Sequence, residues 1–308
     1  MAEKKATSKA SPEKPQKKGL IWIIGFIIAV IAGVLFGIPD KSDEVSTGVA
    51  DSNLQVHYID VGQGDCILLE NGDDTLLIDC GEIGEDDTVK AYLEKQGINQ
   101  LDYVVGTHPH SDHMGCMDKI VVSYDIGEII LPHIDDSDIP TTKYFERFMT
   151  SVESKGYSIT EAETGRKFSV GDAECEIIAP CSDDYSNANN YSVGIIVHHG
   201  ENSFIFTGDA EKLAEKELIE SGRLEDIDVY KVGHHGSDTS SSEEFLEIIK
   251  PDIAVISCGT GNKYGHPCDI TLEKLVKYTD RIYRTDISGT VVITSDGKSL
   301  AVTEEKSQ

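Results

Sequence analysis

Beyond residue 53 the chain alternates between two hydropathy patterns. Short apolar, β-branched runs closed by Gly, Asp or Pro predict strands, and longer stretches with apolar residues every third or fourth position predict helices. The expected order begins with strands at 54–61, 66–70 and 75–79 and a helix at 86–96. A strand at 103–107, a helical stretch after Gly115, a strand at 126–131 and a helix at 144–155 follow. Strands near Glu174, Ser192 and Phe204, a helix at 211–221, a strand at 229–232, a helix at 242–249 and a strand at 253–257 continue the alternation. A helix near 272–278 and strands at 281–284 and 290–294 complete it. The pattern is α/β without internal repeats, and residues 54–303 are enough for one domain with a substantial core.

The N-terminal region is different. Residues 1–19 carry six lysines against two glutamates and are rich in Ser, Pro and Ala, the composition of a disordered cytoplasmic tail. Residues 20–38 are nineteen positions without a charge, which at about 1.5 Å per residue match the hydrocarbon core of a bilayer. Lys17 and Lys18 precede this run and Pro39-Asp40-Lys41-Ser42-Asp43-Glu44 follows it. One transmembrane helix is therefore expected, with the lysines in the cytoplasm and the domain outside. A cleaved signal peptide is the competitor, but no A-x-A site follows the run, so retention is expected and 39–53 is a linker.

Candidate chemistry sits at three strand ends. Thr107-His108-Pro109-His110-Ser111-Asp112-His113 places four ligand-type side chains within six positions after an apolar run. An extended segment would put His108 and His110 on one face, with the following turn bringing Asp112 and His113 to a second point, a spacing that serves two metals. The plainer alternative, a polar loop capping the next helix, does not account for three imidazoles and a carboxylate together. Phe204-Ile205-Phe206-Thr207-Gly208-Asp209 presents Asp209 at a strand terminus, where it can bridge two cations or merely cap a helix. Asp228-Val229-Tyr230-Lys231-Val232-Gly233-His234-His235-Gly236-Ser237 ends another strand in paired histidines flanked by glycines.

Together with Asp60-Val61-Gly62-Gln63-Gly64-Asp65, Leu77-Ile78-Asp79-Cys80-Gly81, Thr207-Gly208-Asp209-Ala210-Glu211 and Tyr264-Gly265-His266-Pro267, these segments make the sequence resemble the metallo-β-lactamase superfamily. D-V-G-Q-G-D with V-G-H-H-G-S points to its ComEC-like branch, the hydrolase domain of that competence protein and its stand-alone relatives. The resemblance implies an αβ/βα four-layer sandwich with a metal site at one edge of its two sheets. It implies His108 and His110 as ligands of a first metal, Asp112 and His113 of a second, and Asp209 as the bridge. One of His234 and His235 completes the second site; His235 is the expected ligand and His234 the proton donor. Many members also place a histidine before the T-G-D strand, and here Asn187-Ala188-Asn189-Asn190-Tyr191-Ser192-Val193 has none, so a weaker first site or a single-metal site is also open. His198 and His199 come later, in an alternating strand, and read as structural or exposed.

The ligand set implies hydrolysis, since a divalent cation lowers the pKa of bound water toward neutrality. Two zinc ions are expected, with manganese or iron also suited to mixed imidazole and carboxylate ligation. Asp112 doubles as ligand and orienter of the water, and His266 is a candidate for phosphate contact or proton donation, against a plain turn histidine. Charge bears on the substrate. The chain is formally −28, and without residues 1–19 it keeps 21 basic and 53 acidic residues, near −32. No Lys/Arg stripe of the kind that tracks nucleic acid is present, although metals can supply local positive charge. The seven cysteines show no C-x-x-C spacing and no disulfide is assigned; Cys80 and Cys116, beside the motifs, are candidates to line the cleft. Three functions remain open: a phosphodiesterase or nuclease; an esterase for a cell-wall polymer such as teichoic-acid phosphocholine, or for a lactam or other ester; and a non-catalytic metal-binding module tethered to a membrane.

Overall fold

Side-chain alternation along the strands decides the layering. Ile67 and Leu69 face one apolar cluster and Leu68 another; Phe204 and Phe206 face the first and Ile205 a third. A strand that is apolar on both faces must be covered on both, and three clusters require four layers. The computed structural model describes residues 52–134 and 139–306; the expected tail and membrane segment, and all but the last two residues of the linker, lie outside the described residues.

In chain order the strands are β1 (Leu54–Tyr58), β2 (Ile67–Asn71), β3 (Asp74–Ile78), β4 (Gln100–Val105), β5 (Asp125–Leu131) and β6 (Ile159–Glu161). Next come β7 (Lys167–Val170), β8 (Ala173–Ala179), β9 (Gly194–His199), β10 (Asn202–Phe206), β11 (Val229–Lys231), β12 (Ile253–Ile256) and β13 (Ile282–Arg284). Finally β14 (Val291–Ser295) and β15 (Leu300–Glu304) return to the first sheet. Among the described residues one sheet has the order β15-β14-β1-β2-β3-β4-β5-β6 and the other β13-β12-β11-β10-β9-β8-β7.

The helices are α1 (Asp86–Gln96), α2 (Ser111–Met114), α3 (Met117–Ser123), α4 (Lys143–Lys155), α5 (Lys212–Ser221), α6 (Glu243–Ile249), α7 (Asp269–Leu275) and α8 (Thr285–Ser288). Val89 and Leu93 of α1, Ile120 of α3 and Phe148 of α4 pack with Leu77 and Val104 on the outer face of the first sheet. Leu218 of α5, Phe245 of α6 and Leu275 of α7 cover Ile205 and Tyr230 of the second. Between the sheets lie Tyr58, Ile78, Phe204, Phe206 and Val255, all buried; each side chain of this size stabilises the fold by about 1.5–3 kcal/mol. The four-layer expectation is met.

Strand β3 pairs parallel with β4, β10 with β11, and β11 with β12. The loops leaving these parallel strands therefore emerge at their carboxyl ends, and they carry Asp79, His108 to His113, Asp209, His234, His235 and Ser257. Strands β6, β7 and β15 were not expected from the sequence. All three lie at sheet edges; β6 and β15 carry half-buried residues that blur the alternation, and β7 alternates cleanly but over only four residues. The strand expected near Ser192 begins at Gly194, after a 3-10 turn over Ala188–Tyr191, and the helix expected near 272–278 begins at Asp269.

Candidate metal centre

After β4 the chain turns tightly, with His110 N donating to His108 O at 3.0 Å, and enters α2. This turn, rather than strand alternation, brings His108 Nε2 to 3.0 Å from His110 Nδ1, one ring buried and the other exposed. Asp112 and His113 follow on α2. The turn rests on Gly64: a Cβ there would meet Asp112 O at 2.3 Å. Asp209 leaves β10 through Gly208, at φ +52, where a Cβ would lie 2.8 Å from Ser192 Oγ and 3.0 Å from Thr107 Cβ. The helix that follows is capped at Glu211, so Asp209 is not its cap. His234 and His235 follow β11 in left-handed backbone, φ 50 and 54, which costs roughly 1–3 kcal/mol per residue and marks positions held by their surroundings.

Asp112, His113, Asp209 and His235 each offer a ligand atom within 4.8 Å of the others. His113 Nε2 is 3.3 Å and His235 Nε2 3.5 Å from Asp209 Oδ1, and His235 Nε2 is 3.4 Å from Asp112 Oδ2. The other ring nitrogens are held from behind. His113 Nδ1 lies 2.7 Å from Asp79 Oδ2, and His235 Nδ1 lies 3.0 Å from Ser257 O with Asp65 Oδ1 at 3.2 Å. In a neutral imidazole these acceptors place the proton on Nδ1 and turn the Nε2 lone pair toward the group.

Among the described residues His113 Nε2, His235 Nε2 and Asp209 Oδ1 are buried without a hydrogen-bond partner. Buried polar atoms are normally satisfied, so three orphaned atoms facing one another beside a second carboxylate fit a divalent cation better than a structural role. The charges agree. Burial works to raise the Asp209 carboxyl, yet His113, His235 and His108 outweigh it and hold it well below the usual range. Burial is likewise overcome at Asp112 by His235 and His113. At His235, burial works downward, and Asp209 and Asp65 push the imidazole up to about 10. Of the four carboxylates Asp65, Asp79, Asp112 and Asp209, only Asp65 is paired with a buried ammonium, Lys231 Nζ at 2.8 Å from its Oδ2; the other three face imidazoles. With those imidazoles neutral, carboxylates outnumber cations in the pocket, which favours a metal ion.

His108 and His110 stand beside this group rather than within it. His108 Nε2 lies 3.8 Å from Asp209 Oδ2, and His234 Nε2 is 3.5 Å from the same oxygen. Asp209 therefore faces His113 and His235 with one oxygen and His108 and His234 with the other, as a shared carboxylate must. The segment without a histidine does reach the site: Ser192 Oγ accepts from Asp209 N at 3.0 Å and lies 3.4 Å from His108 Nδ1. His234 is one-fifth exposed, and its Nδ1 lies 3.0 Å from Thr239 Oγ1. The His266 ring is 5.5 Å from that of His234 and 6.4 Å from that of His235.

Asp65, Asp79 and Lys231 are the residues to which the sequence assigned no role. Each lies in a motif, and the available signal was an acid or lysine embedded in an apolar strand end. Asp79 also accepts from Thr107 N at 2.8 Å and Thr107 Oγ1 at 2.7 Å, tying β3 to the start of the histidine turn. One expectation is corrected, and the reading of His198 and His199 as structural or exposed agrees with their places. Cys80 and Cys116 do not line the cleft; both are buried in the apolar layer under α1, α3 and α4, with Sγ donating to the backbone oxygens of His113 and Glu82. His199 is buried and 2.7 Å from Ser295 Oγ, at the end of β9 that pairs with the start of β10, away from the metal group, while His198 is half-exposed beside Glu225.

The metallo-beta-lactamase superfamily model matches residues 59–260. The chain is similar to "ComE operon protein 3" of Bacillus subtilis, 29% identical over 88% of this chain and 36% of that protein. It is also similar to "Recombination protein 2" of Haemophilus influenzae, 32% identical over 77% of this chain and 28% of that protein. The chain thus spans about a third of the length of these curated relatives. Among solved structures it resembles CmlA, a diiron beta-hydroxylase from Streptomyces venezuelae, with TM-score 0.52 and 16% identity over 78% of this chain and 53% of that one. It also resembles the metallo-beta-lactamase fold protein YhfI from Bacillus subtilis, with TM-score 0.50 and 12% identity over 75% and 95%. At such identities these two likenesses speak for the fold alone. With two sheets meeting at one edge in a histidine and aspartate group, and a family model covering most of the domain, the chain belongs to the metallo-β-lactamase superfamily, in its ComEC-like branch.

Proposed function

We propose that this protein is a metal-dependent phosphodiesterase acting on nucleic acid, anchored by residues 20–38 with its domain outside the membrane. The observation that carries the hydrolase reading is the set of orphaned, mutually facing atoms His113 Nε2, His235 Nε2 and Asp209 Oδ1. A divalent cation held by Asp112, His113, Asp209 and His235 would supply positive charge to phosphoryl oxygens and a lowered pKa to water. The rest falls to the chain. Asp79, and the Ser257 carbonyl with Asp65, fix the imidazoles from behind. Asp112, partly exposed, orients the incoming water. His234, held at Nδ1 by Thr239 and open to solvent, gives a proton to the leaving oxygen, with His266 beside it. His108 and His110 offer a further cation position through the second oxygen of Asp209.

The choice of nucleic acid is supported by relatives named for competence and recombination. The acidic composition favours a second reading, an esterase for a cell-wall polymer such as teichoic-acid phosphocholine. Metal analysis of the purified full chain, followed by assay on bis(p-nitrophenyl) phosphate, single-stranded DNA and p-nitrophenyl phosphorylcholine, tests both. Metal-dependent cleavage of the first two supports the proposal, and preference for the choline ester supports the second reading. Cleavage of a lactam or carboxylic ester alone rejects both.

A further inference from the structure

Tyr264 is an unusual surface residue. Its ring is 54% exposed, in the loop after β12, and it stacks on His266 at 5.7 Å between centroids and 23° between planes. His266 in turn stacks over His235 at 6.4 Å and 25°. Three nearly parallel rings thus step from solvent to the metal group. The loop is braced from within: Asn262 Oδ1 accepts from Tyr264 N at 3.1 Å and His266 N at 3.0 Å, and its Nδ2 donates to Gly259 O at 3.0 Å and His266 O at 2.5 Å. With the loop backbone fixed in this way and His266 beneath it, the exposed ring is presented to a flat partner. Lys263 Nζ lies 4.9 Å from the Tyr264 ring centre. The ammonium is the contact that an incoming ring can replace, and the freed cation then meets the adjoining phosphate.

Resting on the phosphodiesterase reading above, we propose that Tyr264 is the platform on which a nucleobase of single-stranded substrate stacks, with Lys263 pairing the neighbouring phosphate. Stacking is sequence-tolerant and independent of charge, so it supplies affinity that a chain formally at −28 lacks. A phosphodiester without bases makes no use of it.

The test is equilibrium binding of fluorescein-labelled phosphorothioate decathymidylate, and of an abasic phosphorothioate decamer of equal charge, to the metal-loaded full chain in detergent, the sulfur-substituted linkages resisting cleavage. Tyr264→Ala should weaken decathymidylate about tenfold and the abasic polymer less than twofold, whereas Tyr264→Phe should keep both within twofold. Lys263→Ala should weaken both polymers alike and lower the slope of log affinity against log salt by about 0.7. Equal losses on the two polymers in Tyr264→Ala, or none on either, would overturn the platform. Binding does not depend on turnover, so a failure to cleave bis(p-nitrophenyl) phosphate would sink the phosphodiesterase reading and leave this result distinguishable from it.

Discussion

Asp79 behind His113, and the Ser257 carbonyl behind His235 with Asp65 beside it, decide which nitrogen of each imidazole looks into the site. Replacing Asp79 by Ala frees His113 to rotate and to change tautomer, and metal affinity should fall about 10- to 100-fold. Competition with a chromogenic chelator reads this, and an unchanged affinity would show that His113 is held by other contacts. Lys231 compensates Asp65 in a pair that is almost fully buried. Lys231→Met leaves a buried carboxylate with one cation fewer and should cost about 3–5 kcal/mol in urea unfolding, part of which Lys231→Met with Asp65→Asn recovers. At this scale the sequence was informative about ligands and silent about their support. His113, Asp112, Asp209 and His235 are legible because few residue types bind metals. Asp79 and Lys231 act through contacts between strands far apart in the chain, which spacing does not encode.

The parallel strands present the site, and their termini tolerate little change. Gly64→Ala would drive a methyl into the carbonyl of Asp112 and displace α2. Metal binding should weaken with the far-ultraviolet spectrum unchanged, and normal affinity would mean that α2 moves freely. Another inter-element link lies remote from the site, where Arg166 before β7 pairs with Glu128 on β5 at 2.7 Å and ties the edges of the two sheets. Burial works to raise the Glu128 carboxyl, and Arg166 outweighs it and holds the group below its ordinary value. A depressed carboxyl stabilises the fold above its unfolded pKa and loses that contribution as pH falls through the folded one. Glu128→Gln should therefore cost up to about 1 kcal/mol at pH 7 and progressively less below pH 4, read from denaturant midpoints. Strands β5, β11 and β12 follow the expected pattern closely because of their apolar residues, and helix α1 because Val89 and Leu93 recur at helical spacing. Strands β6 and β15 escaped it, since an edge strand with half-buried faces leaves only a weak period-two signal, and β7 because four residues are too few to establish one.

For the whole molecule the sandwich supplies a rigid frame, and a metal bound at the histidine and aspartate group would add to its stability. A cation that binds only the folded state at a hundred times its Kd adds about 2.7 kcal/mol, so saturating zinc or manganese should raise Tm and EDTA should lower it. The proposed outward placement of the domain rests on the apolar run of residues 20–38, and on that proposal protease added to intact cells should release a fragment that begins in the linker. The most direct measurement is metal content together with hydrolysis of bis(p-nitrophenyl) phosphate, in the full chain and in Asp209→Ala. The wild-type chain should retain divalent metal and cleave the diester, losing activity in EDTA and regaining it with manganese or zinc, while Asp209→Ala should lose both metal and turnover. Full metal content in Asp209→Ala, or a metal-loaded wild-type chain that leaves every phosphodiester intact, would contradict the account.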